Sequence, residues 1–224
     1  MNRYDLAIFD LDGTLLDTTE GVLSAVKYTM NEMGFAIPDD KALSAFIGPP
    51  IQDSFARTYG LEGEILQEIA SVFRNKYSTE EYLLLAKPYE GIFDLFEELC
   101  RRGIRPAVAT YKREDYALTL LRHFGFDRYT DVMFGGDHEN KLKKKDIIEK
   151  CMTVSGAPKE RAVMIGDTAF DAIGAEGMGV DFLGVTYGFG FETKRDVEDG
   201  YAVGSADTPL ELLKFFNLGN LRTT

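Results

Sequence analysis

Short apolar runs alternate along the chain with apolar stripes at helical spacing. Continuous apolar runs of four to six residues are typical of strands buried on both faces. The predicted strands cover residues 4–9, 106–110, 132–135, 162–165 and 182–186. Stripes that recur every three to four residues predict amphipathic helices. The predicted helices cover residues 22–33, 92–99, 113–124, 144–154, 169–176 and 209–216, with Thr208 as the N-cap of the last.

Strands that alternate with helices indicate an α/β fold. Each strand–helix–strand unit places two strands in parallel, and helices then cover both faces of the sheet. We therefore expect a Rossmann-like, doubly wound parallel sheet. Folds of this kind bind their ligands at the carboxyl ends of the strands.

Residues 39–87 break the alternation soon after the first predicted strand. This region is predicted to be helical throughout, with breaks at Gly48-Pro49-Pro50 and at 60–63. Pro88 is predicted to mark the boundary, after which strands and helices alternate again. We therefore expect an α/β core made of residues 1–16 and 88–224, with residues 17–87 inserted as an α-helical cap over the ligand-binding edge.

Charge and composition narrow the classes of partner. The formal net charge of −12 argues against a nucleic-acid partner, which requires a basic surface. No apolar run is long enough to cross a membrane, and the first ten residues do not have the pattern of a signal peptide. We therefore expect a cytoplasmic protein with no membrane partner. The two cysteines, Cys100 and Cys151, are too few for a disulfide framework and are expected to be buried thiols.

Two carboxylates follow the first predicted strand, in the segment Asp10-Leu11-Asp12-Gly13-Thr14. Two acids leaving one strand end can divide a phosphoryl transfer between them: one attacks phosphorus while the other moves a proton. Asp and Gly are also common at ordinary strand-to-turn junctions, and that structural explanation remains open for the segment taken alone.

Three further elements carry candidate chemistry at or after later strand ends. Thr110 could hold a phosphoryl oxygen or could simply cap a helix. The run Lys141, Lys143, Lys144 and Lys145 could supply one cation to a phosphate, the others forming a solvated face. Asp167 and Asp171 lie one helical turn apart and offer the hard oxygen ligands that Mg²⁺ prefers. Such an Asp can also be only an N-cap.

Taken together, these motifs resemble those of the haloacid dehalogenase-like hydrolase superfamily. The phosphoglycolate phosphatase-like and bacterial 5′-nucleotidase-like branch is the most similar, and the resemblance covers nearly the whole chain. Residues 9–15 (FDLDGTL) match the first motif and Thr110 the second. Lys144 matches the third, with Lys143 and Lys145 as alternatives, and Gly166-Asp167 with Asp171 matches the fourth.

The resemblance implies a role for each motif. Asp10 would become an aspartyl phosphate, and Asp12 would protonate the leaving alcohol and then activate water. Thr110 and Lys144 would clamp the phosphoryl oxygens. The implied ligands of Mg²⁺ are Asp10, the main-chain carbonyl of Asp12, Asp167 and Asp171. The implied substrate-binding residues are Gly13, Thr14, Gly48, Pro49, Pro50, Tyr111 and Lys112. Tyr111 stands where relatives more often carry a small polar residue.

The expected function is that of a Mg²⁺-dependent phosphatase of a small-molecule phosphate ester, either phosphoglycolate or a nucleoside 5′-monophosphate. A sugar-phosphate mutase is the alternative, although the arginine-containing cap loop of such mutases is not seen around Gly48. A phosphate-binding regulator without turnover is a third reading, which the full set of chemical residues disfavours. A monomer or a homodimer is expected. The sequence does not decide between the substrates, nor does it assign a role to residues 218–224.

Overall fold

The computed structural model describes residues 2–138 and 141–217; residues 218–224, whose role the sequence left open, lie outside the described residues. The chain forms two compact units. The core unit consists of Met1–Leu16 and Pro88–Thr224, and the insert unit is Asp17–Lys87.

The core unit is built on a six-stranded parallel sheet. Its strands are β1 (Leu6–Phe9), β4 (Arg105–Arg113), β5 (Met133–Gly136), β6 (Ala162–Gly166), β7 (Asp181–Val185) and β8 (Gly204–Ala206), in the order β5-β4-β1-β6-β7-β8. Every neighbouring pair is parallel. Two-residue strands, β2 (Leu16–Asp17) and β3 (Lys87–Pro88), lie where the chain passes between the units. The predicted parallel α/β fold is confirmed.

Helices connect the strands of the core unit. They are α6 (Ile92–Arg101), α7 (Glu114–His123), α8 (Lys144–Ser155), α9 (Ala169–Met178) and α10 (Lys194–Glu198). Short 3₁₀ segments cover Phe126–Arg128, Lys159–Arg161 and Pro209–Phe216. The last of these was expected to be an α-helix, but its N-cap is as predicted, since Thr208 accepts a hydrogen bond from the Glu211 N–H. Strand β8 and helix α10 were not predicted, because neither carries an apolar run or stripe long enough to detect.

The core of this unit lies on the sheet. Strands β1 and β6 are buried along their whole length, as continuous apolar strands in the middle of a parallel sheet should be. The thiol of Cys151, on α8, is buried and donates to the Val108 carbonyl at 3.3 Å. Cys100 is exposed, so the prediction of two buried thiols is wrong for this residue. Cys100 follows the buried Leu99 on α6 but faces solvent. Helical spacing alone did not show on which side of the helix Cys100 lies.

The insert unit is helical. It contains α1 (Thr19–Glu32), α2 (Asp40–Ser44), α3 (Ile51–Tyr59), α4 (Ile65–Tyr77) and α5 (Glu80–Leu83). Its interior includes an aromatic cluster in which the Phe55 ring lies 5.2 Å from Phe46 and the Phe35 ring lies 4.7 Å from Tyr59. No described helix of either unit combines the length and the apolar character that crossing a membrane would require.

The core segments on either side of the insert are hydrogen-bonded to each other. The Tyr89 N–H donates to the Leu15 carbonyl at 3.2 Å. The core chain therefore has its two ends next to each other at the point where residues 17–87 are inserted.

Candidate active site

Strand β1 delivers Asp10 to the carboxyl edge of the sheet. The Asp10 N–H donates to the Ile165 carbonyl at 2.9 Å, which extends the pairing of β1 with β6 by one residue. Asp10 is buried, with 7 % of its surface exposed. Its Oδ1 lies 2.7 Å from the Nζ atom of Lys144.

Two further buried carboxylates are Asp167, directly after β6, and Asp171, in the first turn of α9. Asp167 follows β6 and accepts hydrogen bonds from the Thr14 hydroxyl at 3.1 Å and the Phe189 N–H at 2.7 Å. Asp171 closes a capping box, because its Oδ2 accepts from both the N–H and the hydroxyl of Thr168. The N-cap of α9 is Thr168, so the alternative that an Asp is the N-cap is wrong; Asp171 is the third residue of the helix. Its side chain also lies close to Asp10 and Asp167. All three acids offer oxygens that lie within 4.8 Å of one another.

Lys144, at the start of α8, is the cation of this cluster. Its side chain is only 2 % exposed, and Nζ lies 2.7 Å from both Asp10 Oδ1 and Asp171 Oδ1 and 3.0 Å from the Ala109 carbonyl. Lys143 and Lys145 are exposed. Among Lys143, Lys144 and Lys145, the three lysines weighed for the third motif, Lys144 is the one whose ammonium contacts the carboxylates.

The balance of charge in the cluster is negative. Burial raises the pKa of Asp10 to about 7, Lys144 opposes this rise, and Asp171 adds to it. Burial, followed by repulsion from Asp171 and Asp10, raises the pKa of Asp167 to about 8. Burial alone would lower the pKa of Lys144, but Asp10 and Asp171 raise it above its usual range. Asp10 and Asp171 therefore hold the proton of the Lys144 ammonium, and Asp167 adds a third buried acid to the cluster.

This set of donors fits a divalent cation. Buried carboxylates need compensating charge, and Lys144 supplies one positive charge against three acids. Carboxylate oxygens are hard ligands of the kind that Mg²⁺ prefers, and no soft ligand belongs to the group. Asp10, Asp167 and Asp171 are the residues that could hold such an ion.

Asp12 and Lys112 form a further ion pair of the core unit. The Nζ atom of Lys112 lies 2.9 Å from Asp12 Oδ1 and 3.1 Å from Oδ2. The carboxylate of Asp12 is not one of the three clustered acids. The metal contact predicted for its main-chain carbonyl stays a prediction.

Thr110 and Tyr111 lie near the end of β4. The Thr110 hydroxyl is buried and accepts the Lys112 N–H at 3.1 Å. The Tyr111 hydroxyl accepts the N–H of Lys144 at 2.9 Å. Tyr111 was predicted to bind substrate, and the structure shows that it contacts the lysine of the cluster.

Gly13 and Thr14 were also predicted to bind substrate, and both contact Asp167. Gly13 has a φ of +82°, and a Cβ atom there would overlap the Asp167 carboxylate. Thr14 is fully buried and donates to that carboxylate. Both residues therefore fix the position of a candidate metal ligand. Gly48, Pro49 and Pro50 belong to the insert unit, directly before α3, and their predicted substrate contact stays a prediction.

The loop after β7 also contacts Asp167, and the sequence did not predict these contacts. Besides the Phe189 N–H on its carboxylate, the Phe191 N–H donates to the Asp167 carbonyl at 2.9 Å. Gly188 and Gly190 leave no room for a Cβ atom beside Asp167. The Gly-x-Gly spacing at 188–190 was the available signal, but main-chain donors cannot be recognised from residue types.

Comparison with known proteins identifies the class of this chain. Residues 7–185 match the family model described as haloacid dehalogenase-like hydrolase. A solved haloacid dehalogenase-like family hydrolase from Streptococcus pneumoniae superposes with a TM-score of 0.86 at 31% identity, covering 94% of this chain and 97% of that one. The chain belongs to the haloacid dehalogenase-like hydrolase family, as its motifs predicted.

Curated relatives carry several activity names. A 5′-nucleotidase from Pseudomonas aeruginosa is 36% identical over 191 residues, which is 85% of this chain and 86% of the relative. A phosphoglycolate phosphatase from Agrobacterium fabrum is 30% identical over 190 residues, 82% of this chain and 81% of the relative. The tyrosine-protein kinase PtkA from Mycobacterium tuberculosis is 34% identical over 186 residues, which span 83% of this chain but 63% of the relative. The phosphatase-named relatives place this chain among the phosphatases of its family.

Proposed function

We propose that this phosphatase is Mg²⁺-dependent and hydrolyses a small phosphate monoester through a covalent phosphoryl group on Asp10. The observation that carries the proposal is the cluster of Asp10, Asp167 and Asp171 at one edge of the sheet, with the Lys144 ammonium in contact with Asp10 and Asp171. Phosphoryl transfer depends mainly on positioning and charge compensation, and this edge supplies both.

The first half-reaction uses Asp10 as the nucleophile. Its Oδ atom attacks phosphorus, the bond from phosphorus to the ester oxygen breaks, and Asp12 donates a proton to the departing oxygen. Thr110 and the Lys144 ammonium hold the phosphoryl oxygens. Bound Mg²⁺ would supply positive charge that allows the anionic nucleophile and the anionic ester to approach each other.

The second half-reaction returns Asp10 to its starting state. Asp12, now deprotonated, takes a proton from water, the water oxygen attacks phosphorus, and the bond to Asp10 breaks to release inorganic phosphate. Lys112 contacts both oxygens of Asp12 and so keeps this carboxylate in a fixed place between the two proton transfers.

Two substrate classes are proposed, nucleoside 5′-monophosphates and phosphoglycolate. Each is supported by a relative of that name that matches more than four-fifths of this chain. The insert unit is proposed to act as the cap that selects between them, through the loop that contains Gly48, Pro49 and Pro50.

The test is release of inorganic phosphate from a panel of esters, with Mg²⁺ and then with a chelator. The panel contains phosphoglycolate, nucleoside 5′-monophosphates, and sugar 1- and 6-phosphates. We expect metal-dependent release, and we expect Asp10→Asn to abolish it while the thermal transition remains cooperative. Asp94→Asn, an exposed acid on α6, is the matched control and should keep full activity.

Two results would count against the proposal. Isomerisation of a sugar 1-phosphate without free phosphate would favour the mutase. Full activity of Asp10→Asn would show that Asp10 is not the nucleophile.

A further inference from the structure

The first N–H group of helix α8 donates its hydrogen bond to an unusual acceptor, a tyrosine hydroxyl from a neighbouring strand. The N–H groups of a first helical turn need acceptors outside the helix, which the side chain of the preceding residue commonly supplies. Here that residue is Lys143, whose ammonium can only donate. The N–H of Lys144, the first residue of the helix, donates to the Tyr111 hydroxyl, from β4, at 2.9 Å.

The same tyrosine also lies beside the other end of Lys144. The Nζ atom is 5.4 Å from the centroid of the Tyr111 ring, a distance at which an aromatic ring attracts a cation. The ring is itself packed against Phe170 on α9, edge to face, with centroids 5.9 Å apart. Tyr111 therefore contacts Lys144 at its main-chain nitrogen and near its ammonium.

The geometry of β4 explains how Tyr111 reaches α8. The register of β4 against β5 shifts between Ala109 and Arg113, so the strand is irregular where Tyr111 lies. Irregularities of this kind redirect side chains and are common beside active sites.

We propose that Tyr111 is a positioning residue for Lys144: it holds the first turn of α8 and the lysine ammonium at the place where a phosphoryl group is clamped. This inference rests on the proposed function, since it assigns the phosphate to Lys144. A lysine side chain has four rotatable bonds, so its ammonium is placed accurately only when the chain is held along its length. The middle of the Lys144 side chain packs closely against Gly174, where a Cβ atom would lie 2.6 Å from Lys144 Cγ.

The test compares Tyr111→Phe, which removes only the hydroxyl, with Tyr111→Leu, which also removes the ring. We expect Tyr111→Phe to weaken binding of inorganic phosphate, measured by calorimetry with Mg²⁺ present, and to lower kcat/KM by about three- to tenfold, the range of one positioning hydrogen bond. Tyr111→Leu should lose about threefold more, as a cation–ring contact is removed as well. Tyr129→Phe, whose ring packs on Phe93 and Phe96, is the control and should bind phosphate like the unmodified protein.

A double-mutant cycle separates positioning of Lys144 from a general effect on the fold. In a Lys144→Met background, Tyr111→Phe should cause no further loss of phosphate affinity, because its effect passes through the ammonium. If Lys144→Met does not fold, Lys144→Arg takes its place, and the effect of Tyr111→Phe should then shrink. Equal losses in both backgrounds, or no loss from Tyr111→Phe in the unmodified protein, would overturn the inference.

The outcome is distinguishable from failure of the proposed function. If Asp10→Asn retains turnover, the function proposed above is wrong. If Asp10→Asn is inactive and Tyr111→Phe binds phosphate normally, the function stands and the role of Tyr111 is refuted.

Discussion

Adding one methyl group at Gly188 should weaken metal binding although no candidate ligand is replaced. A Cβ atom at this position would overlap the Gly13 carbonyl and the Asp167 Cβ, and would lie 2.5 Å from Asp167 Oδ2. Two of these neighbours are main chain or the root of a side chain, and neither can rotate away. Since carbon atoms need about 3.5 Å of separation, the loop or Asp167 must shift by about 1 Å.

The magnitude follows from how strictly Mg²⁺ is coordinated. Mg²⁺ takes oxygen ligands at about 2.1 Å in near-octahedral geometry, so a shift of this size would remove Asp167 as a ligand of the proposed ion. We expect Gly188→Ala to raise the Mg²⁺ concentration for half-maximal phosphate release by about 10- to 100-fold, the usual effect of disturbing a residue that supports a ligand. Overpacking of this kind also costs about 1–3 kcal/mol of stability, or roughly 2–12 °C in the Tm.

The assay is phosphate release against Mg²⁺ concentration, together with a thermal melt in chelator. Gly200→Ala is the matched control from the same part of the chain, because a Cβ atom there would be 3.6 Å from its nearest neighbour, the Val197 carbonyl. An unchanged Mg²⁺ requirement in Gly188→Ala would refute the reasoning that the loop fixes Asp167.

Three further predictions concern the same edge of the sheet. Gly177→Ala on α9 should raise the Tm by about 1–4 °C with activity unchanged, since a Cβ atom has 3.6 Å of space there, whereas Gly174→Ala should lower activity by pressing on the buried lysine. The raised pKa values of Asp10 and Asp167 mean that the metal-free folded state binds more protons than the unfolded chain, so its stability should fall as the pH rises from about 4 to 8. The rise in Tm on adding Mg²⁺ should then be larger at pH 8 than at pH 6; an equal rise at both would contradict the titration of these acids. Lys112→Met should lower kcat by about tenfold, because it removes the ammonium that contacts both oxygens of Asp12, the proposed general acid and base. The Mg²⁺ requirement should stay unchanged, since the Asp12 carboxylate is not one of the three clustered acids.

The sequence predicted the sheet well because its strands are continuous apolar runs. Strand β6 is buried along all five residues, and its pattern identifies it without further context. Strand β8, Gly204–Ala206, was missed because it contains a single apolar side chain, and its place in the sheet is set by pairing with β7. The apolar pattern also did not predict that residues 209–216 form a 3₁₀ helix, because an apolar stripe of similar period is compatible with a 3₁₀ and an α-helix.

The acids of the candidate site were predictable for a related reason. Asp10 and Asp167 directly follow buried strands that are neighbours in the sheet, so locating the strands also locates the acids. The contacts around them were not predictable. The Phe189 N–H on Asp167 and the Tyr111 hydroxyl on Lys144 depend on loop geometry and on an irregular strand, neither of which residue types encode.

The hydrogen bond between Tyr89 and Leu15 makes the insert a separable module. Because the core chain ends are already joined there by a main-chain contact of 3.2 Å, a turn of a few residues could replace 17–87 without stretching the sheet. A helical segment from another protein could be grafted at the same two points, provided that its own ends lie equally close together. If the insert selects the substrate, as proposed, exchanging this one segment would change selectivity and leave Asp10, Asp167 and Asp171 of the core unit in place.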